Sequence, residues 1–348
     1  MTTRRRLLYI SASLLVLALT VSGLRVAADS LPSELTDQEF WKLSSDFSEP
    51  DGFFRSDNLL SNEVWMQRVI PDLLSNVKTP SVYMGVGPEQ NFTYITSLKP
   101  RMAFIVDVRR ANLELQLMYK AVFELSNDRA DFVGRLFSRK RPDGLTRMST
   151  PLDIFNAYRG VDATDELYNE NLKTINDLLL NKHHFALLDG DVKGVEYAYH
   201  AFYYFGTGLN YSSTGGFGGR SQPSYADLMV ATDEAGLNRS FMANDENFQF
   251  MKTLEARNLL VPVVGNFAGP KAIRAVADYI RSKGATVSAF YLSNVEQYLY
   301  QDRIWATSAA TSRRFRSRRR ARSSARFAAE DSGRAWGSTR SWATCSPT

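Results

Sequence analysis

Residues 81–110, SVYMGVGPEQNFTYITSLKPRMAFIVDVRR, constrain the fold of this chain more than any other stretch. The apolar, β-branched run at 81–86 reads as a strand, closed by a turn that carries Gly85 and Gly87. Residues 91–98 have helical spacing, and Pro100 stops them. A second apolar run at 102–108 ends in Asp107, with Arg109 and Arg110 behind it. Strand, glycine turn, helix, strand and acid, in that order, form a βαβ unit of the kind that holds a dinucleotide or nucleoside. The glycines let backbone approach a ligand closely, and a helix N-terminus offers unpaired N–H groups. Asp107 stands twenty residues after Gly87, about where such units place a carboxylate for ribose hydroxyls. The third glycine of G-x-G-x-x-G is missing from G-V-G-P-E-Q, so an ordinary tight βα turn is the competing reading.

The same alternation returns near the other end. Residues 259–264 form a buried-strand run, followed by the turn GNFAG with Pro270 as first helical residue. Ile273, Val276, Ala277 and Ile280 make one apolar stripe, Gly284 suits the helix end, and 286–292 is the next strand. The fold expected is therefore α/β: a Rossmann-like, mostly parallel sheet flanked by helices, as a single domain over residues 29–312. In parallel sheets ligands collect at the carboxyl ends of the strands. That rule gathers Gly85, Gly87, Glu89, Gln90, Asn91, Asp107, Arg109, Asn266, Ser293 and Asn294 around one crevice.

The rest of the chain reads mostly as helix. Residues 35–47 carry Thr36 and Glu39 in capping-box spacing. Residues 57–74 follow with Leu60 and Val64 facing a core. Arg55, Asp57, Asn58, Asn62 and Glu63 at its start suit either a solvated helix end or a ligand-facing role. Further helices are expected at 111–125, 128–138, through 151–180, and at 245–257. His183, His184 and His200 are the only histidines, and no H-x-x-x-H or cysteine pair accompanies them, so no metal is expected. Residues 206–225 contain six glycines and read as a loop. That loop is either a lid offering Tyr211, Phe217 and Arg220 or a plain surface excursion.

The two ends differ from the middle. Arg4, Arg5 and Arg6 precede an apolar run at 7–24 and small residues at 26–28, the pattern of a secretory signal or of an uncleaved anchor. The run TRRRLL resembles a twin-arginine signal. An exported protein is expected, periplasmic or anchored facing outward, touching the membrane only through residues 1–28. Residues 313–348 hold ten arginines, two acids and no lysine among Ala, Ser and Gly. They read as a disordered tail, and lysine-free text of this kind is what a GC-rich gene yields out of frame. Of the 42 basic and 37 acidic residues, 28 and 35 fall within 29–312, a net of −7. The basic balance thus belongs to the ends, and nothing in 29–312 points to nucleic acid. Cys345 is the only cysteine, so no disulfide supports the domain.

Five stretches together carry a family likeness: FSEPDGFFRSDNLLSNE, YMGVGPEQNFTYI, MAFIVDVRRANLELQLMYKAVFELS, NLLVPVVGNFAGPKAIRAV and ATVSAFYLSNVEQYL. They resemble uncharacterised bacterial proteins with a methyltransferase-like Rossmann domain, over roughly residues 40–300. The resemblance implies the fold of class-I S-adenosylmethionine methyltransferases without fixing a reaction. It implies S-adenosylmethionine, or another small nucleoside-containing ligand, as the bound molecule. By that likeness Gly85, Gly87 and Glu89 belong to the methionine-side loop and Asp107 is the ribose-binding acid. Methyl transfer needs alignment more than a diagnostic catalytic motif, so the sequence singles out no catalytic residue. The alternative is a non-catalytic exported domain that keeps the scaffold for binding or structure.

Overall fold

Parallel strands covered by helices on both faces need continuous apolar sequence, and four segments supply it. The computed structural model describes residues 30–77, 79–215, 222–295 and 342–344. Strands β1 (Val82–Gly85), β2 (Met102–Asp107), β3 (Leu260–Val264) and β4 (Val287–Tyr291) are buried at every position. They pair in parallel in the order β3-β2-β1-β4. A short strand, β5 (Trp342–Thr344), runs antiparallel beside β4. It is the one described piece of the arginine-rich segment. The rest of that segment, Cys345 included, lies outside the described residues, as do residues 1–29 with the expected export signal. Pro262 sits in β3, at the end of the strand order, where a missing N–H costs no ladder bond on the open side. Its carbonyl accepts from Ser44 Oγ at 2.6 Å.

The chain runs outward from β1 to β2 to β3, then returns to β4 on the far side of β1. Right-handed crossovers in opposite directions place their helices on opposite faces of the sheet. Helices α1 (Asp37–Phe47) and α11 (Ala272–Ser282) share one face, where Phe47, Phe104 and Tyr279 meet at 5.9–6.4 Å between ring centres. The helix after β1, α3 (Gln90–Leu98), and the helix after β2, α4 (Arg110–Leu125), cover the other. The connection from α4 to β3 is long and almost wholly helical. It contains α5 (Arg129–Leu136), α6 (Pro151–Tyr158), α7 (Asp165–Asn176), α8 (Asp189–Phe205), α9 (Tyr225–Val230) and α10 (Asp245–Ala256). Phe132, Phe241 and Phe248 from this connection pack on Phe123 of α4, and Phe241 also meets Phe92 of α3. One apolar core therefore joins the helical connection to the sheet, giving a single Rossmann-like α/β domain.

The expected elements stand with three changes. The capping box at α1 is formed: Thr36 Oγ1 accepts the Glu39 N–H at 3.2 Å, and the Glu39 carboxylate accepts the Thr36 N–H at 2.8 Å. Residues 57–65 are not helical. Helix starts with a 3-10 turn at Met66–Val69 and continues as α2 (Ile70–Asn76), leaving Val64 exposed and Leu60 buried. Pro270 precedes α11 by two residues instead of opening it. The span 151–180 is broken into α6, α7 and a π turn at Asp177–Lys182. Gly284 takes φ +66° just past the end of α11, as a left-handed helix stop.

Candidate functional site

Residues 49–63 form a strap that crosses the carboxyl ends of the strands in order. Glu49 N–H donates to Val264 O at the end of β3, and Gly52 N–H to Val108 O just past β2. The Ser61 N–H donates to the Glu89 carboxyl at the β1 turn, at 3.2 and 3.3 Å. Glu63 Oε1 accepts from the Tyr291 hydroxyl and, at 2.9 Å, from Ser293 Oγ at the end of β4. The strap is hence a roof over the switch point between β1 and β4, where open α/β sheets bind ligands. Within 57–65 the Ser61 N–H is committed to the Glu89 carboxyl and not to a helical carbonyl, so the strap overrides the helical spacing there.

The β1 turn is braced from below. Asn91 Nδ2 donates to the carbonyls of Val86 (3.0 Å), Gly87 (3.3 Å) and Pro88 (2.8 Å), while its Oδ1 accepts from the Tyr83 hydroxyl at 2.8 Å. A Cβ on Gly85 would stand 1.9 Å from Asn91 Oδ1, so the first glycine makes room for the brace. Gly87 takes φ +82°, which only glycine adopts without strain. Glu89 is fully buried beneath the turn. Burial pushes its carboxyl up to about 8; its own N–H and that of Ser61 oppose the rise, and the charge of Glu63 adds to it. At neutral pH this acid is mostly protonated.

Between strap and turn lies a cavity of about 370 Å³, within the size range of small-molecule sites. Of the residues expected there, Gly87, Gln90, Asp107, Asn266, Ser293 and Asn294 line it. Gly85, Glu89, Asn91 and Arg109 do not; they shape it from behind. Arg109 clamps Asp107, with Nε on Oδ1 and Nη2 on Oδ2, both at 3.1 Å, and its backbone N–H on Oδ1 at 3.0 Å. Its Nη1 reaches the carbonyls of Ser56 and Asp57, tying the strap to the end of β2. Sequence reasoning passed over Phe53 and Phe54, which with Phe267 of the second glycine turn give the cavity its aromatic surface, and it left Glu63 undecided. Tyr211 also lines the cavity, whereas Phe217 and Arg220 of the same glycine-rich loop lie outside the described residues. Three lining residues, Asn58 (φ +47°), Gly87 and Ser293 (φ +49°), have left-handed backbone, a strain that clusters at ligand sites.

The two glycine turns beside the cavity differ at their helix starts. Pro88 has no N–H, and the next acid, Glu89, takes up its own. At the second glycine turn the Glu49 carboxylate accepts from the N–H groups of Asn266 (3.0 Å), Lys271 (2.7 Å) and Ala272 (2.9 Å) at the start of α11. Of the charged side chains lining the cavity, Glu63 and Asp107 are acids and Arg55 is a base. The lining thus combines amides, hydroxyls and aromatic rings with two acids and one base.

The histidines stand apart from it. His183 is buried between Asp37 (Nδ1 to Oδ1, 2.8 Å) and Glu124 (Nε2 to Oε2, 3.0 Å), and Glu124 also pairs with the buried Lys120 at 2.9 Å. His200 lies among the rings of Tyr168, Tyr203 and Tyr204. Among the described residues, no three His, Cys, Asp or Glu side chains are placed to hold a metal ion, and no helix is long and apolar enough to cross a membrane.

Residues 59–184 and 220–310 match the family described as Domain of unknown function (DUF7790). The chain belongs to this family. The matched segments contain β1 through β4, the glycine turns and Glu63, while the strap before residue 59 and all of α8 fall outside them. No curated protein matches the chain.

Proposed function

We propose that the crevice binds a nucleoside of the adenosine type that carries no phosphate, with S-adenosylmethionine as its best match, and that the domain is methyltransferase-like. The observation that carries this reading is the cavity at the β1/β4 switch point, with a carboxylate at the end of β2 and the Glu49 carboxylate already filling the N-terminus of α11. Asp107 is the group for a ribose hydroxyl: each carboxylate oxygen has two acceptor sites, and Arg109 fills both on Oδ1 but only one on Oδ2, which leaves one for a ligand donor. Phe53, Phe54 and Phe267 offer faces for a base, and Asn58, Gln90 and Asn266 offer amides to its edge. S-adenosylmethionine, when bound, supplies an electrophilic methyl group; the protein's part is to hold donor and acceptor in line.

A second reading is favoured by the Asp107–Arg109 pair itself. A carboxylate already held by a buried guanidinium serves as a structural tie, which suits a non-catalytic domain that keeps the scaffold. Melting curves of the full chain separate the two. A ligand that binds only the folded state at a hundred times its Kd adds about 2.7 kcal/mol of stability. S-adenosylmethionine and its demethylated product should raise the melting temperature, and NAD should not. No shift with either nucleoside would leave the scaffold reading.

A further inference from the structure

We infer that the outer face of α8 docks an extended, arginine-bearing segment of another protein; the inference does not depend on the nucleoside reading above. Val195, Ala198, Tyr199, Ala201 and Phe202 turn the inner face of α8 into the core. Tyr197, His200 and Tyr204 recur three and four residues apart on the opposite side, so they form one stripe. Tyr197 is 51 % exposed and Tyr204 70 %, and His200 between them is exposed as well. The rings brace one another. His200 stacks on Tyr204 with centres 6.0 Å apart, and meets Tyr168 of α7 at 5.7 Å and Tyr203 at 5.8 Å. Exposed rings of this kind, held on a rigid helix, are what protein interfaces favour. The family match passes over α8 entirely, so the stripe is an addition to the matched scaffold.

The charge around the rings narrows the partner. Asp165 accepts from the Tyr203 hydroxyl, Glu166 stands within electrostatic reach of Tyr203, and Glu196 within reach of Tyr168. All three acids are exposed, and the nearby Lys173 is paired with Asp177 at 3.0 Å instead. Lys193 is a base on the same stripe, one turn before Tyr197, and the three acids outweigh it. Such a face repels nucleic acid and anionic membranes and attracts a basic protein segment. Guanidinium answers both features at once, since it stacks on a tyrosine face and forks onto a carboxylate, whereas an ammonium is a strongly hydrated point charge. Seven residues of helix put Tyr197 and Tyr204 about 10 Å apart along α8. Three residues of extended chain span about the same length, so arginines at i and i+3 fit the two rings. A stripe open along its length takes a chain segment, while small molecules sit in concave sites.

Fluorescence anisotropy of the full chain tests this with a labelled peptide of Gly, Ala and Arg that carries arginine at every third position, beside its lysine counterpart. The arginine peptide should bind saturably below about 1 mM. It should bind about fivefold more tightly than the lysine peptide, the gain of stacking over a point charge. The double variant Glu196→Gln, Tyr204→Ser removes one exposed carboxylate and one exposed ring. It should weaken binding about tenfold and leave the melting temperature unchanged. No binding of the arginine peptide, or a variant that binds it as the parent does, overturns the inference. Equal affinity for the two peptides overturns it without any variant, by reducing the contact to general charge attraction. Self-association of the parent that the double variant abolishes would make the occupant a second copy of this chain, and overturns it as well.

Discussion

At the scale of the residue, two carboxyl groups a few ångströms from the crevice are under opposite constraints. Asp107 and Arg109 are both buried, so Asp107→Asn would strand a guanidinium in the interior. Removing one partner of such a pair costs about 3–5 kcal/mol. Urea unfolding should show a loss of that order, and ligand affinity should fall as well if the carboxylate also meets ribose. A loss of stability alone would mark Asp107 as a tie only. Glu89 has the reverse sign. Its folded value lies near 8, above that of an unfolded carboxyl, so its contribution is full below about pH 4.5 and is lost as pH rises through 8. Glu89→Gln removes this dependence. Unfolding followed between about pH 5 and pH 9 should show the variant gaining on the parent as pH rises, and parallel curves would refute the buried, protonated acid. Of these groups Asp107 was legible in the sequence, with Arg109 and Arg110 beside it. The role of Glu63 was not. Its partners Tyr291 and Ser293 lie more than 200 residues away, and locally S-N-E reads as a polar helix start.

At the scale of the element, the glycine turn is the part that tolerates least change. Gly87 and Gly144 have nearly the same φ, +82° and +81°, but different surroundings. A Cβ on Gly144 meets nothing within 4 Å, while one on Gly87 stands 3.3 Å from Asn58 Nδ2. Alanine at either should cost about 1–2 kcal/mol of backbone strain. Only Gly87→Ala should also weaken ligand binding, because the contact it makes is with the strap; equal behaviour of the two would show that the turn does not communicate with the roof. The turn, its strands and its helix were readable to within a residue or two, since apolar runs, glycine and proline are local signals. The strap was not readable. Leu60 and Val64 mimic a helical stripe, and what overrides it is a set of bonds to four different strand ends.

At the scale of the whole molecule, the order β3-β2-β1-β4 opens a crevice at one place, and the strap from residues 49–63 closes it from above. The long helical connection between α4 and β3 adds a second layer to the core on the α4 side without leaving the domain. Its helices follow from periodicity, but its attachment through Phe123, Phe132, Phe241 and Phe248 depends on contacts no local pattern encodes. What the described residues present is an aromatic, amide-rich cavity with acids on both sides of β1 and the N-terminus of α11 already occupied. The most direct measurement is therefore a calorimetric titration of the full chain with S-adenosylmethionine beside one with NAD, each at about 1 mM. Saturable binding of S-adenosylmethionine with none of NAD is the result expected. Binding of NAD, or of neither, would contradict a phosphate-free nucleoside site.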